Sequence, residues 1–126
     1  EPFTMIAMDW SFLPICIELV WDGKEKHINI LSNQSKIWSS STLYDAAMKK
    51  ERTSWFQNFK KEHPFPTQEN ILKFHSKDDL GVAETSIKMK RTSVETVSIT
   101  SIEKDEEQLR MFYQDLLTGE QRSGAF

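Results

Sequence analysis

The sequence predicts an α+β protein in which antiparallel sheets flank a helical pair that packs on their outer face. Three observations carry that reading. Apolar residues alternate over 14–31 and again beyond residue 86, the period becomes helical between residues 45 and 76, and strands and helices are segregated instead of alternating as βαβ units. A chain of 126 residues fits one domain. At this size it can bury about two-thirds of its unfolded surface without disulfide staples.

Residues 3–10, FTMIAMDW, are apolar at both parities, the pattern of a strand covered on both faces. PICIELVW at 14–21 places Ile15, Ile17, Leu19 and Trp21 on one side, Asp22-Gly23-Lys24-Glu25 reads as a turn, and HINIL at 27–31 returns as the second arm of a β-hairpin. From Asp45 onward Met48, Trp55, Phe56 and Phe59 share one helical face, with Lys49, Lys50, Glu51, Asn58 and Lys61 on the other. Asp45 or an upstream hydroxyl would cap this helix. Pro64 ends it, because a proline disfavours helical backbone in the residue before it.

Thr67 offers a second N-cap, opening a short helix over 67–76 with Ile71, Leu72 and His75 on one face. KDDLGVAE at 77–84 is charged and holds Gly81, as a loop does. Three strands are expected after it, in SIKMK, TVSITSI and LRMFY, with a charged turn at 103–108 between the last two. Residues 1–118 would then form the domain, and 119–126 a frayed, flexible tail.

Charge and hydropathy exclude whole classes of partner. With 16 basic and 19 acidic residues the net charge is −3, and there is no concentrated positive face for nucleic acid. No apolar run approaches the roughly 20 residues that cross a bilayer. Cys16 is the single cysteine, so an internal disulfide is impossible and a reducing, cytoplasmic setting is favoured. The opening Glu1-Pro2-Phe3 has neither an initiator methionine nor a signal pattern, and reads as the interior of a longer polypeptide.

Candidate chemistry is sparse. Cys16 lies between Ile15 and Ile17, where a buried thiol is first of all a small hydrophobe, since a nucleophilic one needs an electropositive setting. His27, His63 and His75 have no metal-ligand spacing, and His75, at a helix C-terminus, is the one best placed for a pocket. Two hydroxyl clusters remain. Ser39, Ser40, Ser41 and Thr42 precede the long helix and either satisfy backbone groups there or line a pocket; Arg91, Thr92 and Ser93 either hold an anion or form a solvated polar turn. Trp10, Trp21, Trp38 and Trp55 are spaced as core residues of separate elements.

Three stretches, EPFTMIAMDW, LSNQSKIWSSSTLYDAAMKKERTSWFQNF and MKRTSVETVSI, resemble the C-terminal half of the NRDE family, which includes the transport and Golgi organisation protein 2 proteins. The resemblance covers residues 3–102. It implies a four-layer αββα sandwich like that of N-terminal-nucleophile hydrolases, acting on a non-peptide C–N amide bond. The family's cysteine after the initiator methionine and its Asn-Arg-Asp-Glu segment are both absent from this sequence. Glu1 cannot replace that cysteine, and Cys16 is internal without the free amine that serves as base. The implied partners are therefore the upstream part of the same protein and an unidentified small-molecule ligand, with Ser39–Thr42, His75 and Arg91–Ser93 lining the pocket. No cofactor is required. The alternatives are a carrier of haem or a lipid-derived metabolite, in which His27, His75, Cys16 or a methionine would reach the ligand, and a protein-interaction module.

Overall fold

A computed structural model describes residues 1–31, 35–40 and 43–126. The protein is α+β, with two antiparallel three-stranded sheets and two helices. Where the sequence suggests one domain over 1–118, the chain divides into two compact units, Glu1–Thr53 and Ser54–Phe126, with the boundary inside the long helix.

The first unit contains β1 (Phe3–Asp9), β2 (Ile15–Trp21) and β3 (Lys26–Leu31), in that spatial order and antiparallel throughout. The β1–β2 register sets Met5 opposite Leu19 and Met8 opposite Cys16; the β2–β3 register sets Leu19 opposite Ile28 and Glu18 opposite Asn29. Because side chains alternate across a sheet, one face carries Phe3, Met5, Ile15, Ile17, Leu19, Ile28 and Ile30, and the other Ile6, Met8, Cys16, Glu18, Asn29 and Leu31. The first face is open: Met5 is 49 % exposed, Ile28 58 % and Ile30 76 %.

The β2–β3 turn is set by one side chain and one glycine. Asp22 Oδ1 accepts the N–H groups of Lys24 and Glu25, each at 2.8 Å, while Gly23 takes φ +99°, a left-handed conformation that favours glycine. The Glu25 N–H, then the His27 imidazole and the Lys24 N–H, hold the Asp22 carboxyl down at about 2. Its folded value is depressed, so its contribution is complete above the ordinary carboxylate range and is lost only as pH falls through about 2. Replacing Asp22 with alanine should speed amide exchange across 22–27 at neutral pH; unchanged exchange there would show that Gly23 alone holds the turn.

α1 (Ala46–Glu62) begins at Asp45, whose Oδ1 accepts the Met48 N–H at 2.8 Å, so the carboxylate supplies the cap. Lys60 and Lys61 occupy its last turn, where cations suit the negative end of the dipole. α2 (Gln68–His75) begins with a reciprocal cap: Thr67 Oγ1 accepts from the Asn70 N–H at 3.3 Å and Asn70 Oδ1 accepts from the Thr67 N–H at 3.0 Å. In the second unit Phe59, Phe74, Ile87, Met89 and Ile99 are buried, and the Phe59 and Phe74 ring centroids lie 4.8 Å apart.

The second sheet comprises β4 (Ser98–Lys104), β5 (Leu109–Asp115) and β6 (Gln121–Ala125), again in sequence order and antiparallel. Two expectations change here. SIKMK buries Ile87 and Met89 as its alternation requires, yet the Lys88 and Lys90 N–H groups go to the loop carbonyls of Lys77 at 2.7 Å and Ala83 at 2.9 Å, the Met89 N–H goes to Thr96 Oγ1 at 3.0 Å, and the segment joins no sheet beyond a bridge from Lys90 to Glu95. Residues 119–126, expected to fray, include β6 instead. Asp115 Oδ1 accepts the Leu117 and Thr118 N–H groups, each at 2.8 Å, and Gly119 at φ +77° turns the chain back along β5.

Candidate functional site

The first sheet places a carboxylate where one is rarely found. Glu18 sits in the middle of the central strand, flanked by Ile6 and Asn29, and is only 5 % exposed. A charge in that position requires hydrogen-bond donors, and three groups provide them. Lys36 Nζ lies 2.7 Å and 2.8 Å from the two carboxylate oxygens, Trp38 Nε1 donates at 2.6 Å and Asn29 Nδ2 at 3.1 Å. These bonds bind the segment 35–40 to the sheet as a strap. The Lys36 and Trp38 bonds, in that order, hold the Glu18 carboxyl below the usual range.

Beside the strap lies a cleft of about 360 Å³. Ile6, Met8, Pro14 and Leu31 give it an apolar lining, into which Cys16, Lys36 and Trp38 also contribute. Cys16 and Met8 are direct cross-strand partners, so the register itself brings two sulfur atoms to this cleft. The volume suits a small ligand, and the mixture of apolar wall, one ammonium and one indole suits an amphiphile with a polar end.

The hydroxyl cluster is only partly described. Ser39 and Ser40 line a second cavity of about 290 Å³ with Pro2, Phe3, Thr4 and Trp38, while Ser41 and Thr42 lie outside the described residues. Ser39 Oγ accepts from Arg52 Nε at 3.2 Å, and the Arg52 guanidinium lies 4.4 Å from the Tyr44 ring centroid. The other candidates belong to the second unit. His75 is exposed, edge-on to Phe74 at 5.6 Å. Arg91 Nε donates to the Glu84 carbonyl at 3.0 Å and its N–H to the Val94 carbonyl at 2.8 Å, closing a turn on which Thr92 and Ser93 are exposed.

Glu18, Asn29 and Lys36 were not singled out by sequence reasoning, although one signal was present. A glutamate alternating in phase with Cys16 inside ICIELVW must either face solvent or find partners, and HINIL supplies Asn29 directly across the hairpin. Among the described residues no three His, Cys, Asp or Glu side chains gather into a metal-binding group, and no helix is long and apolar enough to cross a membrane. Comparison with known protein families, curated proteins and solved structures finds no match to this chain.

Proposed function

We propose that this chain is part of a layered scaffold of the N-terminal-nucleophile hydrolase type, similar to the NRDE family, and that it supplies one wall of a pocket for a small amide. One observation carries the reading: β1 is apolar on both faces, Phe3 and Met5 on one and Ile6 and Met8 on the other, all four more than a third exposed. A strand of that composition belongs inside a stack of layers, because an uncovered apolar sheet face is an aggregation hazard. The Glu18-anchored strap and its cleft then form the ligand-facing side. The reactive thiol is an N-terminal cysteine outside this sequence, whose own amine takes the thiol proton so that the thiolate can attack the amide carbonyl. The C–N bond breaks as a thioester forms, the proton leaves with the departing amine, and water then hydrolyses the thioester to the acid and the free thiol. Cys16, internal to β2, lines the cleft without that amine.

A second reading has its own support. Of the groups considered for haem, Cys16 and Met8 line the same cleft, whereas His27 is bonded to Asp22 at 3.0 Å and His75 lies exposed on α2. Haem held there would take Cys16 or Met8 as a sulfur ligand to its iron.

One preparation of the protein isolated from its source separates the two. Hydrolysis of an N-acyl aminocoumarin that stops when iodoacetamide modifies an N-terminal cysteine supports the hydrolase reading. Failure to hydrolyse such amides, with a Soret band on haem titration that Cys16→Ser shifts, overturns it in favour of the carrier.

A further inference from the structure

The two helices enclose a groove that the first sheet's cleft does not involve. It measures about 390 Å³ and lies wholly within the second unit. Its apolar surface comes from Trp55 and Phe59 of α1, Phe74 of α2 and Leu80 beyond it. The loop after α2 is fitted closely to this wall: a Cβ at Gly81, which has φ +71°, would stand 3.0 Å from Trp55 Cζ2.

The charges that border this surface are of opposite sign and come from different elements. Glu62 comes from α1, and Lys73 and Lys77 come from α2 and the residues after it. Lys73 is engaged by Glu69 at 2.7 Å, but neither Glu62 nor Lys77 has a side-chain hydrogen bond or ion pair among the described residues. Glu62 is also misplaced as a helix residue. It is the last residue of α1, at the negative end of the dipole, where a carboxylate weakens the helix. The Glu62 and Lys77 side chains are both exposed to solvent at the border of the groove, so each can meet a ligand without breaking an existing pair.

We infer that this groove binds a small zwitterion with a single aromatic or branched apolar body, of the α-amino-acid type. The ring lies on Trp55, Phe59 and Phe74, the ligand ammonium faces Glu62, and its carboxylate faces Lys77. The volume admits one ring and a short polar head, near the lower limit of small-molecule sites.

The test is an NMR titration of the full chain with L-phenylalanine, 3-phenylpropionate and phenethylamine, following the Trp55 indole N–H signal identified with Trp55→Phe. L-phenylalanine should shift that signal at lower concentration than either singly charged analogue. Glu62→Gln should weaken L-phenylalanine by about threefold or more while leaving phenylpropionate unchanged, and Lys77→Gln should weaken L-phenylalanine to a similar degree while leaving phenethylamine unchanged, as partly solvated charge pairs allow. Phenylpropionate binding as well as the amino acid would mean a simple anion site. No shift with L-phenylalanine at millimolar concentration would mean that the groove takes no such ligand. Either result overturns the inference.

Discussion

Replacing Phe74 with alanine should destabilise the second unit by about 3–5 kcal/mol, the range for truncating a buried aromatic ring. Phe74 is 3 % exposed and its ring lies 4.8 Å from Phe59 and 6.1 Å from Phe56, so it is the contact through which α2 joins the last turns of α1. Removing it leaves a cavity that Phe59 cannot fill alone, because Phe59 also packs on His63 at 5.0 Å. Thermal melting followed by circular dichroism should show a fall in Tm of about 10 °C or more. Phe74→Leu keeps most of the buried volume and should cost less than half as much. If both variants melt within a degree or two of the parent, the ring cluster is not what holds the helical pair.

The helices, including their ends, were legible because local chemistry fixes them: Asp45 and Thr67 have side chains that bond the first free N–H groups, and Pro64 forbids continuation. The first hairpin was legible for the same reason, with alternation on both arms and an Asp-Gly turn between them. SIKMK was misread because alternation reports which side chains are buried and not where the backbone bonds. Ile87 and Met89 are indeed buried, but a strand needs an adjacent strand, and Lys77 and Ala83 offer only isolated carbonyls. β6 was missed for the opposite cause. QRSGA has no apolar alternation, and only its pairing to β5 through the Asp115–Gly119 turn makes it a strand. Within the Glu18 cluster the Glu18–Asn29 pair left a signal in the hairpin, but Lys36 and Trp38 lay beyond reach, because they come to it across 18 and 20 positions of sequence, a closure that no local pattern encodes.

Replacing Glu18 with glutamine should release the strap at neutral pH and remove the acid sensitivity expected of the parent. In the parent the carboxylate accepts from Lys36, Trp38 and Asn29 together, and all of those bonds favour its ionised form. Its folded pKa lies below the ordinary carboxylate value, so the stabilisation is fully present above the unfolded value and is lost as pH falls through the folded one. The Trp38 indole N–H signal, bonded to Glu18 at 2.6 Å, should therefore keep its hydrogen-bonded chemical shift at pH 7 and move in acid. Glutamine offers one acceptor oxygen where three donors converge, and its own NH₂ must face another donor, so the Trp38 indole signal should be displaced already at pH 7 and flat with pH. The loss at neutral pH should be about 2 kcal/mol, typical of hydrogen bonds to a charged group. It should be less for Lys36→Met, because the Lys36 side chain is 41 % exposed and water already solvates part of its charge. An acid transition that survives in Glu18→Gln would assign the sensitivity to another carboxylate of this unit with a depressed pKa, Asp9 at the end of β1 or Asp22 in the β2–β3 turn.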